Sequence, residues 1–303
     1  MQIAAASMAA PSLFFTTGIA VAFPRSPMLS AAMAYEITAN TGGRFRLGLG
    51  SQVKAHVERR YSADFDRPAA RMRDYVEAVK AAWRAFNREE RLDHHGEFYE
   101  MTLLPPDWAP RRHDFEMKVD ISAVGPMMTK VAAQVADGVH VHPLHSMAYL
   151  EKRLLPDLAA GAGEVGRDPN EVELIVPVFA CPGDTAEERA ADVATARRQI
   201  AFYGSTPNYA FQFDDLGFDG TTGRIQSKFK AGELDTIGDV ITDEMLDHFA
   251  IVAPWDERAD ALISRYAGRA ARVVMYLGEH RMRTEPQHLA RWGEVARAVQ
   301  EAR

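Results

Sequence analysis

One cysteine, Cys181, is all that 303 residues contain. Without a second thiol the chain cannot close an intrachain disulfide or build a cysteine metal site, a usage that fits a reducing compartment and leads us to expect a cytoplasmic protein. Basic residues are outnumbered: 35 Lys and Arg against 42 Asp and Glu leave a formal net charge of −7. Nucleic acids and anionic membranes select a basic footprint, so neither is an expected partner. The ten histidines never fall into His-Glu-x-x-His or a comparable spacing, and no metal is expected. No Gly-x-Gly-x-x-Gly opens a helix after a strand, which argues against a dinucleotide fold. A membrane span is also missing. The first 23 residues are uncharged, but Pro11, Thr16, Thr17 and Gly18 interrupt them. Ala20-Val21-Ala22 has the form of a signal-peptidase site, yet no basic residue precedes the apolar stretch, so no signal peptide is expected.

What is present is the composition of a soluble globular protein, 47% hydrophobic and 25% charged. Leu13 to Phe23 is rich in β-branched and aromatic residues and reads as a buried strand, ended by Pro24 and Pro27. Met28 to Ala39 favours helix and closes on Asn40-Thr41-Gly42-Gly43. Arg44 to Gly50 is a second strand. A helix entered near Pro68 carries Met72, Tyr75, Val76, Val79, Trp83 and Phe86 on one face, the spacing of a core stripe. Residues 87–115 lack a period and suggest a long connection. Strand Lys118–Val124, helix Met127–Ala136, strand Val139–His142, helix Tyr149–Gly161 and strand Glu173–Cys181 follow. Thr185-Ala-Glu-Glu188 is a capping box for a helix running to about Tyr203. Residues 204–241 carry no assignable period. Thr242–Phe249 and Trp255–Tyr266 look helical, Arg272–Leu277 is a last strand and Pro286–Ala302 a last helix. This alternation predicts an α/β fold with a parallel sheet, in one domain over residues 1–303. Six strands with one long interruption after the fifth suit a TIM-like (β/α)8 barrel. An open doubly wound sheet is the alternative.

The stretch Gly42–Tyr61 is the one to organise a site around. Gly48 and Gly50 leave backbone uncovered at a strand end, where a ligand or another backbone approaches closely. Ser51, Gln52, Lys54, His56 and Glu58 follow at once. Either the strand opens into a site or it packs tightly under a helix. His140 and His142 alternate with valines and project to one side of their strand, His142 nearer the carboxyl end.

Three blocks in order resemble the bacterial-luciferase-like monooxygenase superfamily. The first is Thr17-Gly18-Ile19-Ala20-Val21, then Arg25-Ser26-Pro27, a helix, and Gly42-Gly43-Arg44-Phe45-Arg46-Leu47-Gly48-Leu49-Gly50. The second is Gly96-Glu97-Phe98-Tyr99, and the third Ala123-Val124-Gly125-Pro126 with Val135-Ala136-Asp137-Gly138. Gln52 to His56 and Phe202-Tyr203-Gly204-Ser205-Thr206-Pro207 look like the branch that depends on the deazaflavin coenzyme F-420. The resemblance implies a TIM-like barrel that binds reduced deazaflavin, or FMN as the alternative, and acts as an oxidoreductase on a small organic substrate. Gly18-Ile19 matches the place of a non-prolyl cis peptide against the cofactor ring, and Ala123, Val124, Gly125 and Met127 match the phosphate-binding turn. Gly50, Ser51 and Gln52 join the expected cofactor contacts, and His56, Glu58 and His142 are the candidates for proton donation or substrate contact. A relative that holds flavin without turnover is the other reading. In the family, two strands and a helix precede the strand holding Gly18, and residues 1–14 are too few to supply them. The strand at 13–23 is therefore expected to face a gap beside residues 272–277, covered by an upstream segment or else by a homo-oligomer or closure as a reduced barrel.

Overall fold

The computed structural model describes residues 2–302, which fall into two compact units, one made of residues up to 140 with 156–173 and the other of 141–155 with 174 onward. The first unit opens on helix α1 (Gln2–Ala9). The expected strand Leu13–Phe23 comes in two pieces, β1 (Phe15–Thr16) and β2 (Ala20–Val21). Helix α2 (Pro27–Asn40) starts on the Ser26 cap and ends at Thr41, with Gly42 and Gly43 at positive φ turning the chain into β3 (Phe45–Gly50). Both pieces pair in parallel with β3, Phe15 opposite Phe45 and Val21 opposite Gly50. The register slips by one residue between them, so Thr17, Gly18 and Ile19 form a bulge. Thr17 repairs the interrupted ladder, its hydroxyl accepting from the Gly48 N–H at 2.9 Å and donating to the Gly48 carbonyl at 2.7 Å.

Helix α3 (Lys54–Tyr61) follows, and then α4 (Pro68–Phe86). Every residue of the predicted stripe on α4 is buried. Burying each large apolar side chain contributes roughly 1.5–3 kcal/mol, so this face alone fixes the helix. It packs on α2, where Trp83 Nε1 donates to the Ala31 carbonyl at 3.0 Å and Ser30 and Tyr75 join hydroxyls at 2.6 Å.

The connection 87–115 is less irregular than its composition suggests, because it holds an antiparallel hairpin, β4 (His94–His95) and β5 (Glu100–Met101). The buried Asp74 carboxylate of α4 anchors it, bonding His94 Nε2 at 2.7 Å and accepting the Phe98 and Tyr99 N–H groups at 2.5 and 3.0 Å. A Cβ on Gly96 would lie 1.8 Å from Asp74 Oδ1. Further along, Tyr35 of α2 accepts the His113 N–H at 3.1 Å and stacks on the His113 ring at 3.9 Å.

Strand β6 (Val119–Ala123) pairs in parallel with β3, Leu49 opposite Ile121. Helix α5 (Pro126–Val135) leads to β7 (Gly138–Val141), the neighbour of β6. Alternation sets Phe45, Leu47 and Leu49 on one face of β3 and Arg46, Gly48 and Gly50 on the other. That second face is charged and nearly dry. Arg46, 2% exposed, donates Nε to Asp120 at 2.9 Å, one terminal nitrogen to Asp120 at 2.5 Å and the other to Glu173 at 2.7 Å. Burial opposes the Arg46 charge, but the hydrogen bonds and charges of Asp120 and Glu173 prevail and raise its pKa. Burial likewise opposes the Asp120 carboxylate, and the His140 ring and Arg46 overrule it, so its pKa is lowered.

In the second unit β8 (Glu173–Pro182) is flanked in parallel by β9 (Ala250–Ala253) and β10 (Arg272–Tyr276). The Thr185 cap opens the helix Ala186–Gly204 as expected, accepting the Glu188 N–H at 3.2 Å, while the Glu188 carboxylate reaches back to the Asp184 N–H at 2.7 Å. Residues 204–241, without a period in sequence, form short helices at Phe211–Asp214 and Thr221–Ala231 and a 3-10 stretch Leu234–Val240. Their buried Phe213, Ile225 and Ile237 join Phe179, Ile200 and Phe249 in one core. Strand β9 was not expected, since its four residues leave helix Asp243–Phe249 without a turn signal. Arg258, fully buried, ties the strand ends by donating to the carbonyls of Ile251 at 2.8 Å and Cys181 at 2.7 Å, and to that of Ala253. His145 is equally enclosed: Nδ1 donates to the His142 carbonyl at 2.9 Å, and Nε2 accepts from the Tyr266 hydroxyl at 3.1 Å.

Two tests follow from this packing. Arg46→Met removes the partner of a fully buried carboxylate and is expected to cost about 3–5 kcal/mol, read from urea unfolding; a loss near zero would show that Asp120 is not held by this pair. Burial also pushes His145 down to about 4 from 6.5. Below about pH 6.5 the unfolded chain takes up a proton that the folded chain refuses until about 4, so stability is full above that window and falls through it as pH drops. The shift corresponds to a loss on the order of 3 kcal/mol. Urea midpoints between pH 7 and 4 should fall steeply in the parent and less so in His145→Asn, and equal slopes would contradict the assignment.

Candidate active site

The carboxyl ends of β2, β3 and β6 lie side by side. Val21 is level with Gly50, and extending the β3–β6 pairing brings Ser51 level with Ala123. The expected residues of the first unit gather here, and they do not all have the same reason to be what they are. The Gly18–Ile19 peptide is cis, and nothing stands within 4 Å of where a Gly18 Cβ would be. Gly50 is closed off instead: its Cβ would meet Ile19 Cδ1 at 2.7 Å. Gly48 is the most constrained of the three, since a Cβ would lie 2.0 Å from the Thr17 carbonyl oxygen and 2.6 Å from His140 Nε2. The glycines that suggested ligand approach thus divide into one open position and two that let side chains of the same unit close in.

Beyond Gly50, the Ser51 hydroxyl donates to the Gln52 carbonyl at 3.2 Å, and Gln52 takes φ 62° with its side chain exposed. Helix α3 then carries His56 and Glu58 on exposed positions, and Val57 is its buried residue. The left-handed Ser62 supplies the stop of this helix. Glu58 pairs with Lys54 one turn earlier at 3.7 Å.

After β6, Ala123 is buried and Gly125 occupies the N-cap of α5 with extended backbone, φ −92° and ψ 161°. No side chain caps this helix start, Pro126 has no N–H to give, and nothing lies within 4 Å of a Gly125 Cβ. Thr129 donates its hydroxyl to the Gly125 carbonyl at 3.1 Å and fixes the turn from behind. Met127 is exposed. Amide groups at an uncapped helix start, reached over an open glycine, form a pocket for an anion such as a phosphate.

His142 belongs to the second unit, just past β7. Its Nδ1 accepts the Leu144 N–H at 3.1 Å, which places the proton of the neutral ring on Nε2. Burial pushes its pKa down to about 4, so the neutral ring persists at neutral pH. The ring lies 4.8 Å from Tyr203 and 4.7 Å from Tyr209, centre to centre. His140 is 8% exposed, with Nε2 3.7 Å from Asp120, and fills the space over Gly48.

Thr17, beside Gly18 in the first unit, and Tyr209 and Tyr276, in the aromatic cluster of the second, were not named as site residues from sequence. A threonine beside a bulge has no one-dimensional signature, and Tyr209 and Tyr276 lie in a stretch without a period and at a strand end. Among the described residues no three His, Cys, Asp or Glu side chains gather as a metal would require, and no helix is long and apolar enough to cross a membrane.

Comparison with known proteins bears on the same residues. The family model of the luciferase-like monooxygenases matches residues 1–272. An uncharacterized protein of Mycobacterium tuberculosis is 38% identical over 259 residues, 85% of this chain and 76% of that one. Among solved structures, the coenzyme F-420 dependent tetrahydromethanopterin reductase from Methanopyrus kandleri aligns with a TM-score of 0.72 at 18% identity, covering 90% of this chain and 79% of its own. The EDTA monooxygenase of Chelativorans sp. BNC1 aligns with a TM-score of 0.64 at 16% identity, covering 99% and 77%. The parallel strands, the intervening helices and these neighbours give the α/β, TIM-like fold, and the chain belongs to the luciferase-like monooxygenase family.

Proposed function

We propose that this protein is an oxidoreductase dependent on coenzyme F-420, with FMN the alternative cofactor, acting on a small organic substrate. The observation that carries the reading is the uncapped α5 start behind the open Gly125, at the same strand ends as Ser51 and Gln52. Family membership supports a flavin-type cofactor, and the Gln52–His56 and Tyr203–Pro207 blocks support the deazaflavin choice.

The residues present fit such a cofactor. Gly125 and Met127 would hold its phosphate through backbone amides, with Ala123 and Val124 setting the strand end beneath them. Gly18 and Ile19 would face the ring, Gly18 giving access and Ile19 an apolar wall braced on Gly50. Ser51 and Gln52 would offer polar contacts at its edge. When bound, the cofactor supplies hydride chemistry, and the protein supplies orientation and protons. Of the three candidates for proton handling, His142 has the strongest physical case, because a neutral ring with its proton fixed on Nε2 donates a hydrogen bond at neutral pH. His56 and Glu58, exposed on α3, would serve at the substrate's outer end.

Titrating the purified protein separately with coenzyme F-420 and with FMN tests the cofactor. Tight binding of F-420 is expected; tight binding of FMN alone removes the deazaflavin reading, and binding of neither removes the proposal. Binding without turnover of any substrate would instead favour a relative that holds flavin and has lost catalysis. At the turn itself, Gly125→Leu has room for its side chain and should keep the parent's melting behaviour. Its affinity for cofactor should drop by about tenfold or more, in line with losing one or two charge-assisted hydrogen bonds. Unchanged affinity would take this turn out of the site.

A further inference from the structure

We infer that His142, Tyr203, Tyr209 and Tyr276 form a binding site for an uncharged small molecule bearing an oxygen acceptor, such as a ketone, aldehyde or alcohol. All four residues belong to the second unit, where they come from four places: the end of β7, the last turn of helix Ala186–Gly204, the short turn Pro207–Tyr209 and the last residue of β10. Their rings lie close together. The His142 centre is 4.8 Å from Tyr203 and 4.7 Å from Tyr209, and Tyr203 is 6.5 Å from Tyr276 and hydrogen-bonded to it hydroxyl to hydroxyl. Behind them Tyr276 sets its edge against Phe179 at 5.4 Å, which joins the cluster to the core.

Packing alone would be served by phenylalanine and leucine at these positions. What packing leaves unexplained is the polar end of each ring. All four residues are only half-buried. The proton on His142 Nε2 follows from the Leu144 bond at Nδ1, yet neither Nε2 nor the Tyr209 hydroxyl has a hydrogen-bond partner among the described residues. Neither atom is sealed from solvent. Two donors and a hydroxyl pair thus belong to a cluster of aromatic rings whose centres lie 4.7–6.5 Å apart, the kind of surface on which a few polar groups orient an apolar ligand.

The charge balance narrows the ligand. The groups acting on His142, besides burial, are the Leu144 N–H and His145; those acting on Tyr203 are Tyr276 and Tyr209. Among the described residues no cation or carboxylate is hydrogen-bonded or ion-paired to His142, Tyr203 or Tyr209, and Arg281 and Asp192, which border a cavity with Tyr276, are paired with each other at 2.7 Å. A charged ligand would be desolvated without a counter-charge, which costs several kcal/mol. Aromatic walls also suit a quaternary ammonium, but the Nε2–H dipole of His142 points its positive end outward and opposes a cation. A carbonyl or hydroxyl oxygen satisfies the donors and leaves no charge uncompensated.

This assignment deepens the oxidoreductase reading by naming its substrate class, and its test is independent of the cofactor. Saturation-transfer NMR on the full chain, without cofactor, would compare cyclohexanone with cyclohexanecarboxylate and with tetramethylammonium. Cyclohexanone is expected to bind at least about tenfold more tightly than either ion, reflecting the unpaired charge. Tyr203→Phe and Tyr276→Phe, each removing one hydroxyl, should weaken cyclohexanone by about fivefold. His142→Gln, which retains an N–H donor, should weaken it less than His142→Phe. Equal or tighter binding of either ion, or cyclohexanone affinity unchanged in the two tyrosine variants, would overturn the assignment. Should a variant fail to fold, the ketone-to-ion comparison in the parent protein decides. Ketone binding in a protein that binds neither F-420 nor FMN would uphold this site and remove the oxidoreductase reading, so the two failures are distinguishable.

Discussion

Arg46 sets the terms on which the first unit is built. A guanidinium this deeply buried needs carboxylates on more than one side, and it has Asp120 from β6 and Glu173 at the start of β8, with Lys118 bonded to the far oxygen of Glu173 at 3.2 Å. Burying such a group is favourable only when its bonds are complete, and that completeness restricts the neighbours. Gly138 is glycine because a Cβ there would lie 2.6 Å from Asp120 Oδ1 and 2.9 Å from an Arg46 nitrogen. Two residues beyond Arg46 on β3, Gly48 admits His140 and the Thr17 carbonyl. The face that leads to the candidate site is thus assembled around a fixed charge cluster. Its glycines are consequences of that cluster and of the bulge as much as of any ligand.

The same logic reassigns part of what the motifs mean. Gly96-Glu97-Phe98-Tyr99 reads as a family signature, and here its glycine and two backbone amides serve the Asp74 carboxylate. Ala136-Asp137-Gly138 behaves similarly: Asp137 accepts the Val119 N–H at 2.8 Å and meets Lys80 at 3.3 Å, securing the entry of β6. These blocks identify the family because they hold its scaffold together. In the blocks at the strand ends, Gly18 and Gly125 instead have open space where a Cβ would be.

Much of the fold was legible in sequence where stability is local and periodic. The α4 stripe announced its own burial, and the alternation of strands with helices announced the parallel sheet. Legibility failed where order is imposed from a distance. The β4–β5 hairpin owes its shape to a carboxylate twenty residues earlier in the chain, seen in the bond between Asp74 and His94. Strand β9 exists because β8 offers it an edge, Phe179 opposite Ala250, and four residues carry too little pattern to reveal that. For the site, the residue types at the strand ends were readable. The tautomer of His142 and the hydroxyl pairing of Tyr203 with Tyr276 depend on contacts that no spacing encodes.

The connection between α4 and β6 has a consequence for how such a protein changes over generations. It is pinned by two side chains that belong to helices, Asp74 holding the turn at Gly96–Tyr99 and Tyr35 holding His113. Each anchor engages backbone amides, which every residue other than proline possesses. Between the anchors the chain is free to lengthen, shorten or change its side chains without disturbing the sheet, because the entropic cost of loop length grows only logarithmically. Such a segment behaves as an exchangeable cassette, and lineages that keep Asp74 and Tyr35 retain the scaffold while remaining free to try new surfaces upon it.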